Sequence, residues 1–412
     1  MVRAVVTGAA GFLGGAITHA LRQAGTEVVA LDIRRAPGIT TADITRPGDW
    51  ERALDGADLV VQAAAVGLGG VAELTPVRPG RAGAPVRVAA GEIRRVTLAG
   101  TANLLDAAGR AGVDRFVHLS CVDVVNIAAT QRASTPEKTM SAPGSPQAWA
   151  EGLAGPGGLL DESAPVGLTG DARADALAAA EQAVASAAAH GLGATVVRVG
   201  DAYGARAGRW TLWPVLLLRA GRFVVVDGGR GILSPVHVDD VVDAVAAVVA
   251  APRAVVAGEV LQVTGGESVP AADFFGYYAD MLGVAAPRSV PAGIVGALDG
   301  WERLRALAEG RRGRGTTTTT AGSSAGTGAG GPRALVRGVG ARLGAGVDPR
   351  ARVDVGPLGV RELTRERGFS SSRVGELTGW APRVPLVEGM ARTQDWLRER
   401  GLLGVREPSR RG

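Results

Sequence analysis

The apolar run from Val2 to Thr7 passes directly into Gly8-Ala9-Ala10-Gly11-Phe12-Leu13-Gly14, and then into residues 16–23, which read as a helix. Glycines at this spacing permit a tight turn between strand and helix, and they let a pyrophosphate approach the amide N–H groups at the helix start. In a chain with 62 glycines among 412 residues, three spaced glycines alone decide little. Their seat between a strand and a helix decides much more. Asp32 ends the next apolar run, 24 residues after Gly8, where a carboxylate accepts hydrogen bonds from an adenosine ribose. The pattern predicts a dinucleotide site with NAD as cofactor. Arg34 and Arg35 stand beside that aspartate, and an arginine there accommodates a 2′-phosphate, so NADP stays open.

Valine-rich runs at residues 3–7, 27–31, 59–63, 116–119 and 195–199 alternate with Ala-rich helical segments. Short continuous apolar runs of this kind are buried parallel strands, so the expected class is α/β, a doubly wound parallel (Rossmann) sheet. We assign residues 1–205 to this core, with a Pro/Gly/Ser-rich loop at 126–170. Residues 206–310 read as a smaller substrate-binding cap interleaved with the last core strands. Residues 311–331 contain five consecutive threonines and cannot bury enough apolar surface to offset ordering entropy, so they read as a disordered, low-complexity linker. Residues 332–412 return to the cap and end on a helix around Trp396.

Composition narrows the function. Cys121 is the only cysteine, which removes an intrachain disulfide and multi-thiolate zinc sites, and no metal is expected. Basic surplus lies in the tail, where residues 301–412 carry 21 arginines against 11 acidic residues. Aromatics are 4% of the chain and are not interleaved with arginine runs, so nucleic acid is not an expected partner. The stretch from Val238 to Ala251 contains Asp239, Asp240 and Asp243, and no charge-free run is long enough to span a bilayer. The expectation is a cytoplasmic protein with a small-molecule substrate, no membrane partner, and a second copy of itself in a homodimer.

Further segments resemble one family. Asp43-Ile44 resembles its adenine-contacting pair, Val61-Gln62-Ala63-Ala64-Ala65 its V-H-L-A-A strand end, and Gly100-Thr101-Ala102-Asn103-Leu104-Leu105 its G-T-x-N-L-L helix. Arg198-Val199-Gly200-Asp201-Ala202-Tyr203-Gly204 is similar to its R-P-x-x-V-Y-G segment, Val238-Asp239-Asp240 to its V-x-D-V strand, and Leu377-Thr378-Gly379-Trp380-Ala381-Pro382 to its closing L-G-W-x-P. With the Gly8, Gly11, Gly14 spacing, the chain resembles the extended short-chain dehydrogenase/reductases. These are also called NAD-dependent epimerase/dehydratases and include 3β-hydroxysteroid-dehydrogenase-like members. The resemblance spans nearly everything outside residues 311–331. It implies cofactor contacts from Gly8, Gly11, Phe12, Leu13 and Gly14, from Asp32, Ile33, Arg34, Asp43 and Ile44, and from Ala63, Ala64, Ala65 and Asn103.

The catalytic half of the resemblance fails. Family members pair a Ser or Thr with a Tyr whose pKa is lowered by a Lys four residues on, so that the tyrosine passes a proton while hydride moves. Here the tyrosines are Tyr203, Tyr277 and Tyr278, and Lys138, the one lysine, is preceded at that spacing by Ser134. Registering Asp161-Glu162-Ser163-Ala164-Pro165 and Ala180-Glu181-Gln182 on the family pattern places Arg173 at the tyrosine and Leu177 at the lysine. Aligning residues 120–126 with S-S/T-x-x-V-Y-G puts Cys121 at the catalytic hydroxyl. Asp123 then falls where sugar-nucleotide dehydratases carry a glutamate, with Val122 replacing the neighbouring acid.

The catalytic candidates are therefore Cys121, Asp123, Arg173 and Tyr203, each with a second reading. Cys121 is either a small core residue or a thiol that, near its ordinary pKa of about 8.5, passes a proton close to neutrality. Asp123 is a structural acceptor or an acid raised by desolvation. Arg173 orients an anion or is a solvated helix residue, and cannot be deprotonated. Tyr203 is a weak donor at the nicotinamide end or a packing residue. His237 reads as a core histidine and Asp239 as a brace between strand and loop; Trp210 and Trp213 line a pocket or fill the cap. Leu233 stands where nucleotide-sugar members often place an arginine, which disfavours that substrate class, although Arg230 is close. The expected function is an NAD(P)-dependent oxidoreductase or epimerase/dehydratase-type enzyme with an atypical active site, acting on a small alcohol, ketone or sugar-like metabolite. The alternatives are a catalytically silent NAD-binding regulator or scaffold, and a non-redox enzyme with structural NAD.

Overall fold

A computed structural model describes residues 2–65, 89–126, 158–295 and 358–403. The low-complexity segment 311–331 and most of the loop expected at 126–170 lie outside the described residues.

The five valine-rich runs become strands β1 (Arg3–Thr7), β2 (Glu27–Asp32), β4 (Leu59–Gln62), β5 (Arg115–Cys121) and β6 (Gly193–Val199), joined by the short β3 (Thr40–Thr41). After β7 (Asp201–Tyr203), β8 (Val224–Val226), β9 (Ile232–Leu233) and β10 (Pro235–His237), strand β11 (Val260–Val263) returns to complete the sheet. The order across it is β11-β6-β5-β4-β1-β2-β3, and every pairing is parallel. Order reverses at β1, which lies between β2 and β4, and ligands of such sheets bind at the carboxyl ends of the strands beside that reversal.

Both faces of the sheet are covered, which is why its strands read as continuous apolar runs rather than as alternating ones. Ala4, Val6, Leu59 and Val61 pack on one face, with α1 (Phe12–Gln23) and α5 (Val238–Ala250). Val5, Val60 and Val196 pack on the other, with α2 (Gly100–Ala111) and α3 (Ala172–Ala189). Helix α1 starts four residues earlier than its sequence pattern suggests, because Gly11 serves as an extended N-cap. The segment read as a V-x-D-V strand divides at His237. β10 ends there and α5 begins at Val238, placing Asp239 and Asp240 in a first helical turn that favours negative charge.

The cap is a second core. Trp210 and Trp213, the latter opening α4 (Trp213–Arg219), pack with Phe274, Phe275 and Tyr278 of α6 (Ala271–Leu282). The far end of the chain joins them through Leu363 of α7 (Val360–Leu363) and Leu386, Met390 and Leu397 of α9 (Leu386–Glu399). Between these, α8 (Ser372–Thr378) sends Val374 into the sheet core, and Trp380 follows it. Asp240 fixes the return, accepting the backbone N–H groups of Arg383 at 2.9 Å and Val384 at 3.1 Å. The brace expected at Asp239 thus falls one residue later, while Asp239 remains half-exposed and pairs with Arg392 at 2.9 Å.

His118 on β5 is buried, and neither ring nitrogen has a hydrogen-bond partner among the described residues. Burial lowers its pKa from 6.5 to about 4. The unfolded chain therefore takes up the proton first as pH falls, and stability present above pH 6.5 is lost between pH 6.5 and about 4. The loss is at most about 3 kcal/mol. Urea unfolding at pH 7 and pH 4.5 should show a smaller drop for His118→Leu than for the native chain. An equal drop would mean that other groups set the acid limit.

Candidate functional site

The carboxyl ends of β1, β2, β4 and β5 open into a cleft of about 340 Å³. Its floor begins at the glycine turn. Gly8 has φ +67°, and a Cβ there would lie 2.6 Å from the carbonyl oxygen of Ala63, so only glycine lets the end of β1 pass the end of β4. Gly14 presses against the Gly8 carbonyl in the same way. Helix α1 has no side-chain cap and no acidic residue in its first turn. Its first amide N–H groups therefore lack internal partners, the condition under which a helix start receives phosphate. Gly8, Gly11, Phe12, Leu13 and Gly14 all line the cleft here.

Asp32 is buried at the end of β2, accepting the N–H of Ala10 at 3.0 Å and of Arg34 at 2.9 Å. The Arg34 guanidinium also grips it, at 3.0 Å from Nε and 3.2 Å from Nη2. Burial opposes ionisation, but the hydrogen bonds and charge of Arg34 outweigh it and hold Asp32 below its ordinary pKa. Ile33, Asp43 and Ile44 continue this wall, and Ala63, Ala64 and Ala65 form the side given by β4. Asn103 is placed differently. Its side-chain amide donates to the Ile44 carbonyl at 3.0 Å, and Gly100 packs against the Ile44 side chain, so this motif docks α2 beneath the wall. The turn, the uncapped helix and the buried carboxylate together fit a dinucleotide.

At the inner end stand Ser120, Cys121, Asp123, Arg173, Arg209 and Trp210. Arg173 is buried, which corrects the reading of a solvated helix residue. Its Nη2 donates to Asp123 Oδ2 at 2.9 Å and to Glu362 Oε1 at 3.1 Å. Arg209 bonds the same two oxygens, each at 2.9 Å, closing a ring of alternating charge. Arg365 extends it, 3.5 Å from Asp123 Oδ1 and paired with Asp201 at 2.6 and 3.0 Å. Arg361 adds a hydrogen bond to the Asp123 carbonyl.

This setting fixes the protonation of each candidate. Asp123 pays desolvation, yet Arg173, Arg209 and Arg365 hold it well below the usual carboxylate range. The expectation of an acid raised toward neutrality is therefore overturned. Cys121 Sγ lies 3.7 Å from Asp123 Oδ2 and 3.8 Å from Arg173 Nη1. Burial and the Asp123 charge outweigh the arginines and push the thiol up to about 12, so it does not exchange protons near neutrality as its ordinary pKa suggested. Tyr203 lies outside the cleft lining, packed edge-on against His237 and Phe274 in the cap core, where burial raises its pKa further. His237 is buried, its Nδ1 receiving the Asp239 N–H at 3.3 Å.

Sequence reasoning missed Arg209, Arg361, Glu362, Arg365 and Asp201. Glu362 and Arg173 are 189 positions apart, with the threonine tract between them, and no spacing rule connects them. The available signal was the return of helical pattern near Val360.

Residues 4–150 and 172–264 match the profile of the NAD dependent epimerase/dehydratase family. A 3-diazoavenalumate denitrifying reductase from a Streptomyces species is 32% identical over 312 residues, covering 73% of this chain and 88% of its own length. A 3 beta-hydroxysteroid dehydrogenase/Delta 5-->4-isomerase of Mycobacterium tuberculosis is 36% identical over 133 residues, 30% of this chain and 32% of its own. Among solved structures, a dTDP-glucose 4,6-dehydratase from Streptomyces venezuelae with NAD bound superposes with a TM-score of 0.61 at 20% identity, over 97% of this chain and 98% of that one. A UDP-glucuronic acid 4-epimerase from Bacillus cereus, in complex with UDP-glucuronic acid and NAD, gives 0.60 at 15% identity, over 97% and 99%. At those identities the likeness is one of fold. Profile, relatives and sheet topology agree: the chain belongs to the NAD dependent epimerase/dehydratase family.

Proposed function

We propose that this protein is a reductase that uses NADH to deliver hydride to an aromatic diazo carboxylate, replacing the diazo nitrogen by hydrogen. One observation carries the reading. On the motif register read from the sequence, the place of the family's proton-passing tyrosine falls to Arg173, a permanent cation bonded to two carboxylates, and the neighbouring thiol and Asp123 are poor proton carriers at neutral pH. A cleft with hydride at hand and no tuned acid suits a reduction that draws no proton from the protein.

The cofactor would be held by the amides after Gly8, Gly11 and Gly14, by Asp32 at the adenosine ribose, and by the Asp43-Ile44 wall at the adenine; Asn103 acts behind that wall. When bound, it supplies a hydride at the inner end of the cleft. Conversion of an arenediazonium to the arene consumes one hydride, forms one C–H bond and releases dinitrogen. The charges balance with no added proton. The 32% identical relative is named for a diazo compound, for denitrification and for reduction, which supports this chemistry over carbonyl or sugar-nucleotide chemistry. Asp123 is held well below the usual carboxylate range and Arg173 is held charged, so the part of this end of the cleft is electrostatic: it orients the substrate's charge and passes no proton. Trp210, beside Arg209 with its guanidinium 5.5 Å from the ring centroid, offers an aromatic wall.

Turnover of an aromatic diazonium carboxylate should consume one NADH per dinitrogen released, measured by absorbance and gas evolution. Because no tuned acid takes part, kcat should be flat from pH 5.5 to 7.5. Cys121→Ser should retain most activity, whereas Arg173→Ala should lose about 10²- to 10³-fold in kcat. A step in the pH profile that vanishes in Cys121→Ser would return the thiol to a proton-passing role and sink this mechanism.

Cofactor choice is a separate test. Asp32→Ala should weaken NAD by about 10- to 100-fold, the value of a hydrogen bond to a charged group, while sparing NADP because Arg34 loses its partner. Calorimetry measures both affinities. An unchanged NAD to NADP ratio would remove Asp32 from the ribose.

A further inference from the structure

We infer that the inner end of the cleft is an anion subsite that takes the carboxylate of an aromatic substrate, with Arg361 supplying the charge that makes it attractive. This deepens the reductase reading and rests on it for the identity of the substrate, but not for the existence of the subsite.

Four guanidinium groups, Arg173, Arg209, Arg361 and Arg365, meet three buried carboxylates, Asp123, Asp201 and Glu362. A fourth acid, Asp171, reaches Arg173 Nε at 3.9 Å, but its side chain is 41% exposed and water screens it. Arg361 has no carboxylate within ion-pair distance among the described residues. Its one hydrogen bond there is to the Asp123 carbonyl.

Hydrogen-bond donors are also in excess. Nε and Nη1 of Arg361, Nε of Arg209 and Nε of Arg365 are buried without acceptors among the described residues, against two oxygens without donors, Asp123 Oδ1 and Glu362 Oε2. Burying a guanidinium N–H without an acceptor is costly, and so is the surplus cation; an anion against Arg173 and Arg209, which line the cleft, offsets that surplus, while Arg361 and Arg365, outside the lining, act on it through charge. Arg173 and Arg209 line the cleft wall and give the anion its seat, beside Trp210.

Two substitutions move the balance in opposite directions. Arg361→Gln brings the cluster to three cations and three anions. Glu362→Gln removes an anion and frees the donors that Arg173 and Arg209 spend on it. A purely structural role for either residue would weaken binding in both variants.

The probes are benzoate and its methyl ester, titrated by calorimetry into the full-length protein saturated with NAD. Benzoate should bind at least tenfold more tightly than the ester. Arg361→Gln should weaken benzoate about tenfold, Arg361→Lys should restore most of the loss, and Glu362→Gln should tighten benzoate; the ester and NAD should be unmoved by all three. Thermal unfolding identifies any variant that no longer folds, in which case the Lys variant and the ester comparison in the native chain still decide. Equal binding of acid and ester, no benzoate binding, or weakening by Glu362→Gln would overturn the proposal. Because only binding is read, a subsite that behaves as expected in a protein that fails to reduce diazonium compounds would leave the subsite standing and remove the reaction.

Discussion

Six charged side chains that water barely reaches, Arg173, Arg209, Arg365, Asp123, Asp201 and Glu362, join the cleft to the C-terminal part of the chain. They come from the turn Val122–Val124 just after β5, from α3, from β7, from the turn Gly208–Leu212, and from α7 and the residues after it. Each ion is tolerable only because its neighbours are in place. Deleting one partner of such a pair typically costs about 3–5 kcal/mol, whereas replacing a whole group by apolar residues is often neutral. A network of this kind is thus a poor source of net stability and a strong source of position. Here it holds two cleft arginines side by side, an arrangement that their mutual repulsion would otherwise forbid.

The same network sets the protonation of the groups at the inner end of the cleft. A proton-passing site needs a group whose pKa lies near the working pH. Opposite charges in contact do the reverse, driving Asp123 down and Arg173 and Arg365 up, away from neutrality. Raising a thiol to about 12 by burial and by a neighbouring carboxylate completes the effect. What remains is a preset field, useful where charge develops or disappears on the substrate and useless for moving protons.

The fold was legible because its signals are local. A strand, three glycines and a helix follow one another within residues 2–23, and the five valine runs are themselves the strands. Strand β11 was harder, since Gln262 interrupts a run of four and the strand pairs with β6, more than sixty residues earlier. The phosphate and ribose ends of the cleft were legible for the same local reason. The inner end was readable only at Cys121, Asp123 and Arg173, whose places follow from motif register. Arg209, Glu362 and Arg365 look in sequence like the arginines and glutamates of any surface, because burial of a charge is decided by partners far along the chain.

Tyr203 makes the limit of motif reading concrete. It occupies the tyrosine of a segment resembling R-P-x-x-V-Y-G, close in sequence to where chemistry is expected, yet its ring lies between His237 and Phe274. On its other side is Gly389 of α9, where any Cβ would run into the phenol oxygen. The residue therefore docks the last helix onto β7 and β10, and its hydroxyl is buried without a partner among the described residues. Resemblance in that segment reports how the cap closes on the sheet. What the cap then encloses depends on which charges α7 brings with it, and that part of the molecule the family pattern does not specify.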